Sequence, residues 1–324
     1  MEILPLSFYF LGRINMYSVD WAIRKQFQIY NVEKDELTSI SPTEEAFEDF
    51  FSKLPISNSF YIEEGGGDTF KLMALKHSHK VFTILGKKVK THREKLNLPE
   101  SDENSAKVIG VLVKTHLEEF YEFQESDVLT LKISLLYREY EKIVEDRTQK
   151  KNQLFAMRKR LQLLTSEKEV KKMIKKRKDT ITALDKEVYA IQRQLSKLLE
   201  EHPLWTNYLK GIKGVGVVVA AGIIGSIGRF DRFYHWDSLR HFAGMITKKD
   251  NPSYNRHLKK ALYYFIEEII KKRTPLWRDM YDKAKIDYKK KHPDWIKGKI
   301  DAYAKKFVQT KFLYSIYKHA KSLA

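Results

Sequence analysis

Three carboxylates in the first third of the chain have the residue type and the placement that metal-dependent phosphodiester cleavage requires. Asp20 and Glu63 each end an apolar, strand-favouring run, and Asp102 opens a helical segment just after Pro99. Two-metal cleavage needs oxygen ligands that bracket two Mg²⁺ ions about 4 Å apart. Because an acidic segment of this length offers several triplets, and Glu64 competes with Glu63, spacing alone leaves a chance match open.

No other residue type joins these carboxylates. The absence of cysteine excludes structural disulfides, thiolate zinc sites and cysteine nucleophiles. His77 and His79 have no metal-ligand partner at suitable spacing, and we expect both at the surface. The cofactor expected for this site is therefore Mg²⁺, with Mn²⁺ as the alternative.

A second constellation is basic and lies in the last third of the chain. The run L-K-G-I-K-G-V-G (209–216) resembles a helix-hairpin-helix turn, whose backbone N–H groups receive a phosphate. Further on, basic residues at 256–260 and 289–291 precede aromatic residues, which suits phosphates and stacked, unpaired bases. A tight packing turn and an ordinary solvated basic face are the alternatives. The candidate nucleic-acid contacts are Lys210, Lys213, Gly214, Gly216, Arg229, Arg240, Arg256, Lys259 and Lys260.

Net charge follows the same division. The chain carries +18 overall, distributed as −6 over residues 1–130, +8 over 131–201 and +16 over 202–324. This split predicts a polyanionic partner for the C-terminal half. A lysine-rich solvated surface of the thermophile type is the alternative.

The elements that must position the carboxylates follow from periodicity in residues 14–116. We predict strands at 14–20, 26–32, 37–40, 59–63 and 80–85, and helices starting at Thr43 and at Asp68, followed by a helical segment at 87–116 with a break near Pro99. The order β-β-β-α-β-α-β-α indicates an α/β sheet of the RNase-H-like type.

The middle of the chain, from about 128 to 201, lacks Gly and Pro and repeats apolar residues at steps of three and four. This pattern predicts a helical hairpin or a dimeric coiled coil. Its seams are Ile133, Leu136, Tyr140, Ile143; Leu154, Met157, Leu161, Leu164; and Ile181, Leu184, Val188, Ile191, Leu195, Leu198. Arg147 and Lys150 interrupt the first seam, either to set the register or face RNA, or simply as solvated charges.

The last part of the chain reads as helices at 236–245, 256–273, 275–292 and 295–323, which predicts an all-α domain. The predicted domains are therefore 1–125, 126–202 and 203–324. No run of about 18 apolar residues and no signal-peptide pattern is present, so we expect a cytoplasmic protein, in a prokaryotic or virus-infected host cell, with no membrane partner.

Several segments together resemble one family. Y-S-V-D-W-A (17–22), Y-I-E-E-G-G-G (61–67), V-F-T-I-L-G-K-K-V-K (81–90) and S-D-E-N-S-A (101–106) look like the RuvC-type domain of the bridge-RNA-guided DEDD insertion-sequence transposases related to the Piv invertase. L-K-G-I-K-G-V-G…G-R-F (209–230), L-R-H-F-A-G-M (239–245) and L-K-K-A-L-Y (258–263) look like the second domain of that family. The resemblance covers nearly the whole chain in the correct order.

The resemblance assigns Asp20, Glu63 and Asp102 to the first three carboxylates of the family and departs from it at two positions. The fourth carboxylate falls on Ser105, which cannot be a charged metal ligand. The loop expected to hold the nucleophilic serine is short, and its one serine, Ser253, is a doubtful nucleophile.

A chain with these departures is similar to the RuvC-bearing Tas proteins (the TasR type) of the TIGR-Tas RNA-guided systems. That similarity implies a Nop-like C-terminal domain, a guide RNA and a target DNA as partners, a homodimer, and RNA-guided, Mg²⁺-dependent DNA endonuclease activity. Two alternatives stay open: a transposase or DNA invertase that acts through Ser253, and a nucleic-acid-binding protein that has lost catalysis.

Overall fold

The computed structural model describes residues 15–21, 25–246 and 254–323. The chain divides into two compact units, Met1–Glu125 and Ser126–Ala324. Among the described residues, the N-terminal unit has two hydrophobic cores, and the C-terminal unit has one.

The N-terminal unit is built on a mixed six-stranded sheet of order β3-β2-β1-β4-β5-β6. β1 pairs antiparallel with β2 and parallel with β4, β4 pairs parallel with β5, and the short β6 runs antiparallel to β5. The strands are β1 (Met16–Asp20), β2 (Phe27–Asn31), β3 (Glu36–Ile40), β4 (Ser59–Glu63), β5 (Lys80–Ile84) and β6 (Tyr121–Glu122).

Helices cover this sheet because successive strand side chains alternate between its faces. Phe60 and Ile62 of β4 belong to one core, whereas Tyr61 between them belongs to another. The first core contains Phe47 and Phe51 from α1, and the second contains α4 side chains. The helices are α1 (Glu44–Ser52), α2 (Asp68–Lys76), α3 (Gly86–Lys95) and α4 (Asp102–Thr115).

The predicted α/β character and the positions of the first five strands are confirmed, while the RNase-H-like assignment stays a prediction. Ile14, also placed in the first strand, lies outside the described residues. β6 was not predicted because two residues show no periodicity. The surface position predicted for His79 is wrong: it is buried against Phe51 and Phe60, and its Nδ1 accepts the backbone N–H of Asn58 at 3.3 Å.

The described residues of the C-terminal unit contain helices and no strand, which agrees with the all-α prediction. The two longest helices form the predicted hairpin, and the shorter ones follow. They are α5 (Glu125–Leu161), α6 (Glu167–Glu200), α7 (Pro203–Asn207), α8 (Val217–Ile227), α9 (Trp236–Phe242), α10 (Arg256–Lys272), α11 (Trp277–Lys291) and α12 (Lys297–Leu323).

Polar contacts across the hairpin set its register. Arg147 on α5 donates to Asp185 on α6 at 3.0 Å, whereas Lys150 pairs within its own helix with Asp146. One predicted seam residue is wrong: Leu164 is 80% exposed, because α5 ends at Leu161 and the chain turns there.

The apolar helix α8 occupies the centre of this unit because its small residues permit close helix contacts. A Cβ on Gly225 would lie 2.7 Å from the Ser134 backbone of α5, and one on Gly222 would lie 2.7 Å from Ala261 of α10. A larger side chain at either position would push these helices apart. Among the described helices, none is long and apolar enough to cross a membrane.

Candidate active site

Sheet register places two of the predicted carboxylates side by side. Val19 of β1 is paired with Ile62 of the parallel neighbour β4. The next residues, Asp20 and Glu63, therefore end adjacent strands at the same edge of the sheet.

The third carboxylate is positioned by the start of α4. Ser101 is the N-cap, and its hydroxyl accepts the backbone N–H of Asn104 at 3.1 Å, so that Asp102 is the first helical residue. The helix is fixed to β1 because Ser18 Oγ donates to the carbonyl of Ala106 at 2.7 Å. This hydrogen bond holds the first turn of α4 near the end of β1 that carries Asp20.

Gly110 allows this helix to approach the sheet closely. A Cβ there would lie 2.8 Å from the ring of Tyr30 on β2 and 3.1 Å from the Ser18 hydroxyl. Substituting Gly110 would therefore displace α4, and with it Asp102.

The three carboxylates share one electrostatic environment. Asp20 is only 8% exposed, and burial, followed by the charges of Asp102 and Glu63, raises its pKa to about 7. Burial also raises the pKa of Glu63. Negative charge is therefore concentrated here at a cost in free energy that a bound cation would reduce.

Two cations moderate this charge without cancelling it. Burial raises the pKa of both Asp20 and Glu63, and the charge of Arg93 on α3 limits that rise. Lys25 lies 3.5 Å from a carboxylate oxygen of Asp102. Neither was predicted from the sequence.

Arg93 also contacts Ser105, the residue that the sequence resemblance places at a fourth carboxylate position. Its Nη1 donates to Ser105 Oγ at 3.0 Å, its Nη2 lies 3.4 Å from Glu100, and its side chain is 12% exposed. Ser105 itself is buried. A guanidinium therefore contacts the residue onto which the sequence resemblance places a fourth carboxylate. The packing of α3 on α4 brings Arg93 here, so no local sequence pattern signals it.

Gly86, the first residue of α3, gives the Glu63 carboxylate its space. A Cβ on Gly86 would lie 2.1 Å from Glu63 Oε1, so a larger residue here would force the Glu63 carboxylate to move. The glycine that follows the β5 run was the available signal for this close approach.

These residues supply the hard oxygen ligands that Mg²⁺ prefers. In residues 15–21, 25–246 and 254–323, however, no three His, Asp or Glu side chains lie close enough together to hold a metal ion.

Four of the predicted nucleic-acid contacts form ion pairs within the C-terminal unit. Lys210 lies 2.8 Å from Glu200, and Arg240 lies 2.8 Å from Asp237. The other two pairs involve Arg229 with Asp127 and Asp231, and Lys260 with Glu141 and Glu145. These pairs partly neutralise the charge that a phosphate would meet.

The remaining predicted contacts have different surroundings. Lys259 lies 4.2 Å from the ring centroid of Tyr254, and neither Lys213 nor Arg256 has a carboxylate partner among the described residues. Gly214 has a φ of +100°, a backbone conformation that favours glycine. Gly216 is the N-cap residue of α8. The doubtful nucleophile Ser253 lies outside the described residues.

A buried polar cluster between α5 and α10 was not predicted. Glu141 is buried and contacts the Nδ1 of His257, the ammonium of Lys260 at 3.3 Å and the hydroxyl of Tyr137 at 3.2 Å. Burial and the Glu141 charge strongly raise the pKa of Tyr137. Because more than a hundred residues separate Glu141 from His257, no spacing rule could have found this cluster.

Comparison with known proteins assigns a relationship to part of the C-terminal unit. No curated protein shows significant similarity to the chain. Residues 206–282, from α7 into α11, match the Transposase IS116/IS110/IS902 family. This segment contains all of the predicted nucleic-acid contacts, and it relates the chain to these insertion-sequence transposases.

Proposed function

We propose that the protein is an RNA-guided, Mg²⁺-dependent DNA endonuclease whose N-terminal unit cleaves and whose C-terminal unit holds nucleic acid. One observation carries the first part: Asp20 is buried beside Glu63 and Asp102, which raises its pKa to about 7. Strongly perturbed carboxylates of this kind are typical of functional sites. The sheet order and the antiparallel β2 support an RNase-H-like interpretation of this unit.

Asp20, Glu63 and Asp102 would hold the metal, which supplies electrostatic stabilisation of the phosphodiester and lowers the pKa of the attacking water. The Arg93 guanidinium offsets part of the negative charge, so that an anionic phosphate can approach. Ser105 holds one end of this guanidinium, and Gly86 leaves the Glu63 carboxylate free to move towards a cation.

RNA guidance is proposed from the C-terminal unit. Its excess of positive charge suits a polyanion, and its long helical hairpin agrees with a Nop-like, RNA-gripping domain. The partners would be a guide RNA, a target DNA and a second copy of the chain.

A second candidate is a transposase or DNA invertase, which the match of residues 206–282 to the transposase family favours. This reaction would attach DNA covalently to the protein through Ser253. The two candidates share the carboxylates but differ in the need for that serine.

The test begins with sequencing the RNA that copurifies with the protein and assaying cleavage of a matching DNA with Mg²⁺. Asp20→Ala should reduce cleavage more than about a hundredfold because a metal ligand is lost, while RNA binding is retained. Glu103→Gln, an exposed acid next to Asp102, is the matched control and should cleave normally.

Two results would contradict the proposal. Cleavage by Asp20→Ala at the wild-type rate would mean that the carboxylates are misassigned, and no Mg²⁺-dependent cleavage at all would favour a protein that only binds nucleic acid. Ser253→Ala separates the two enzymes, because it should leave an endonuclease intact and abolish a covalent DNA adduct.

A further inference from the structure

The groove between α11 and α12 contains four lysines without acidic partners among the described residues, whereas four of the predicted basic positions form ion pairs. It has a volume of about 890 Å³ and is lined by apolar side chains, among them Met280 and Phe307, and by lysines. Among the described residues, Lys283, Lys290, Lys291 and Lys311 form no ion pair; these four are called the groove lysines below. Their charge is therefore available to an external anion.

The exposed face of α12 continues this groove with alternating aromatic and basic residues. Tyr303, Phe307, Lys311, Tyr314 and Lys318 follow one another at steps of three and four, so they share one helix face about 22 Å long. The three aromatic residues are 43%, 37% and 41% exposed, respectively.

Lysine and aromatic side chains on this face are already in contact. Lys311 Nζ lies 5.5 Å from the centroid of Phe307, and Lys318 Nζ lies 5.8 Å from that of Tyr314. A flat, partly exposed ring beside an unpaired ammonium can stack a base while the lysine neutralises the adjacent phosphate. An acidic peptide would use the charges but leave the rings without stacking partners.

Two carboxylates in the groove help to distinguish RNA from DNA as the bound nucleic acid. Asp279 is engaged, because it accepts the backbone N–H of Leu276 at 3.4 Å. Asp287 is exposed and has no cationic partner among the described residues. A free carboxylate repels phosphate but can accept a hydrogen bond from a ribose 2′-hydroxyl, which DNA lacks.

We infer that the α11–α12 groove and the adjoining α12 face bind single-stranded RNA, with the groove lysines on phosphates and Phe307 and Tyr314 stacked on bases. This inference rests on the proposed function for its class of partner and names a site for it. Most of this surface lies beyond residue 282, outside the segment that matches the transposase family.

The test is fluorescence anisotropy of the full chain with a uridine oligonucleotide of about 15 nucleotides, in EDTA so that metal chemistry plays no part. The groove variant Lys290→Gln/Lys291→Gln/Lys311→Gln should bind more than about tenfold more weakly and lower the log–log salt slope by about 2. The control variant Lys53→Gln/Lys171→Gln/Lys272→Gln removes the same charge from ion-paired lysines and should change affinity less than about threefold.

Stacking and strand type are tested separately. Phe307→Leu keeps an apolar side chain but loses the ring, and it should weaken binding about tenfold. A thymidine oligonucleotide and a duplex should both bind more weakly than the uridine strand. Equal loss in the groove and control variants, or no loss in either, would overturn the site, and equal affinity for uridine and thymidine strands would overturn the assignment to RNA.

Failure here is distinguishable from failure of the proposed nuclease. Asp20→Ala should bind the uridine strand like the wild type, whatever its effect on cleavage. If the groove variant binds normally while Asp20→Ala abolishes Mg²⁺-dependent cleavage, the nuclease stands and only this site is wrong.

Discussion

Each unit of this protein buries a carboxylate, and the two carboxylates have opposite electrostatic surroundings. Asp20 in the N-terminal unit is 8% exposed and has Asp102 and Glu63 as its charged neighbours of like sign. Glu141 in the C-terminal unit is 4% exposed and is surrounded by His257, Lys260 and the hydroxyl of Tyr137.

The difference separates a structural carboxylate from one suited to chemistry. A buried charge with good partners is satisfied, and removing it leaves those partners uncompensated. Asp20, beside two like charges, is only partly compensated by Arg93 and Lys25, which is the condition expected where a further cation binds.

The largest expected effect is on the stability of the N-terminal unit. Because the folded-state pKa of Asp20 is about 7 and its unfolded value is near 4, only the unfolded chain loses this proton between those values, so stability falls as pH rises through that window. Near pH 8 without metal, Asp20→Asn should stabilise this unit by up to about 4 kcal/mol, measured by hydrogen exchange of β1 amides. The gain should vanish near pH 4, and a less stable variant near pH 8 would contradict it.

For Glu141, the buried carboxylate of the C-terminal unit, we expect loss of the negative charge to lower stability. Glu141→Gln should destabilise the C-terminal unit by about 2–3 kcal/mol, because His257 and Lys260 lose a buried partner. Hydrogen exchange of α10 amides measures this loss. Glu145→Gln, which removes the 72%-exposed partner of Lys260, is the control and should cost less than about 1 kcal/mol. Equal effects of the two substitutions would remove the distinction.

Metal binding should depend on the carboxylates of the N-terminal unit and not on Glu141. Mg²⁺ at about ten times its dissociation constant should stabilise the N-terminal unit by about 1.4 kcal/mol, since it binds the folded carboxylates. Glu141→Gln should retain this stabilisation and Asp20→Asn should lose it, as measured by hydrogen exchange of β4 amides with and without Mg²⁺. Equal stabilisation of both variants would show that the ion binds elsewhere.

The smallest effect concerns Ser105, the residue at which the sequence resemblance expects a fourth carboxylate. Ser105→Asp should change Mg²⁺ affinity less than about threefold, because the new carboxylate would pair with Arg93, which already donates to Ser105. Combining it with Arg93→Gln frees the carboxylate and should tighten Mg²⁺ binding about tenfold in calorimetric titration. If Ser105→Asp alone tightens binding as much as the pair, Arg93 does not neutralise this position.

The basic residues of the C-terminal unit also differ in whether they have a partner of opposite charge. The sequence located the positive half of the chain, yet Lys210, Arg240 and Lys260 are paired with acids in the structure. Sequence counting cannot separate paired from unpaired lysines, because pairing depends on which distant acid the fold brings near. The groove lysines emerge only from the packing of α11 on α12.

The sequence by itself determined the local helices and strands, and with them the positions of the three carboxylates at the ends of those elements. Asp20 and Glu63 end strands, and Asp102 starts a helix, because alternation of apolar residues, a capping serine and a nearby proline act over a few residues. The hairpin and the helical nature of the C-terminal unit follow from the same short-range periodicity.

Only the tertiary structure decided what surrounds these residues. Arg93 beside Ser105, Gly86 against Glu63, and Glu141 beside His257 each join elements that are separate along the chain. Burial and neighbouring charge set a carboxylate's pKa, and both depend on how helices pack against the sheet or one another. Residue type and spacing therefore identified which groups could do chemistry, and packing decided which of them remain without a partner.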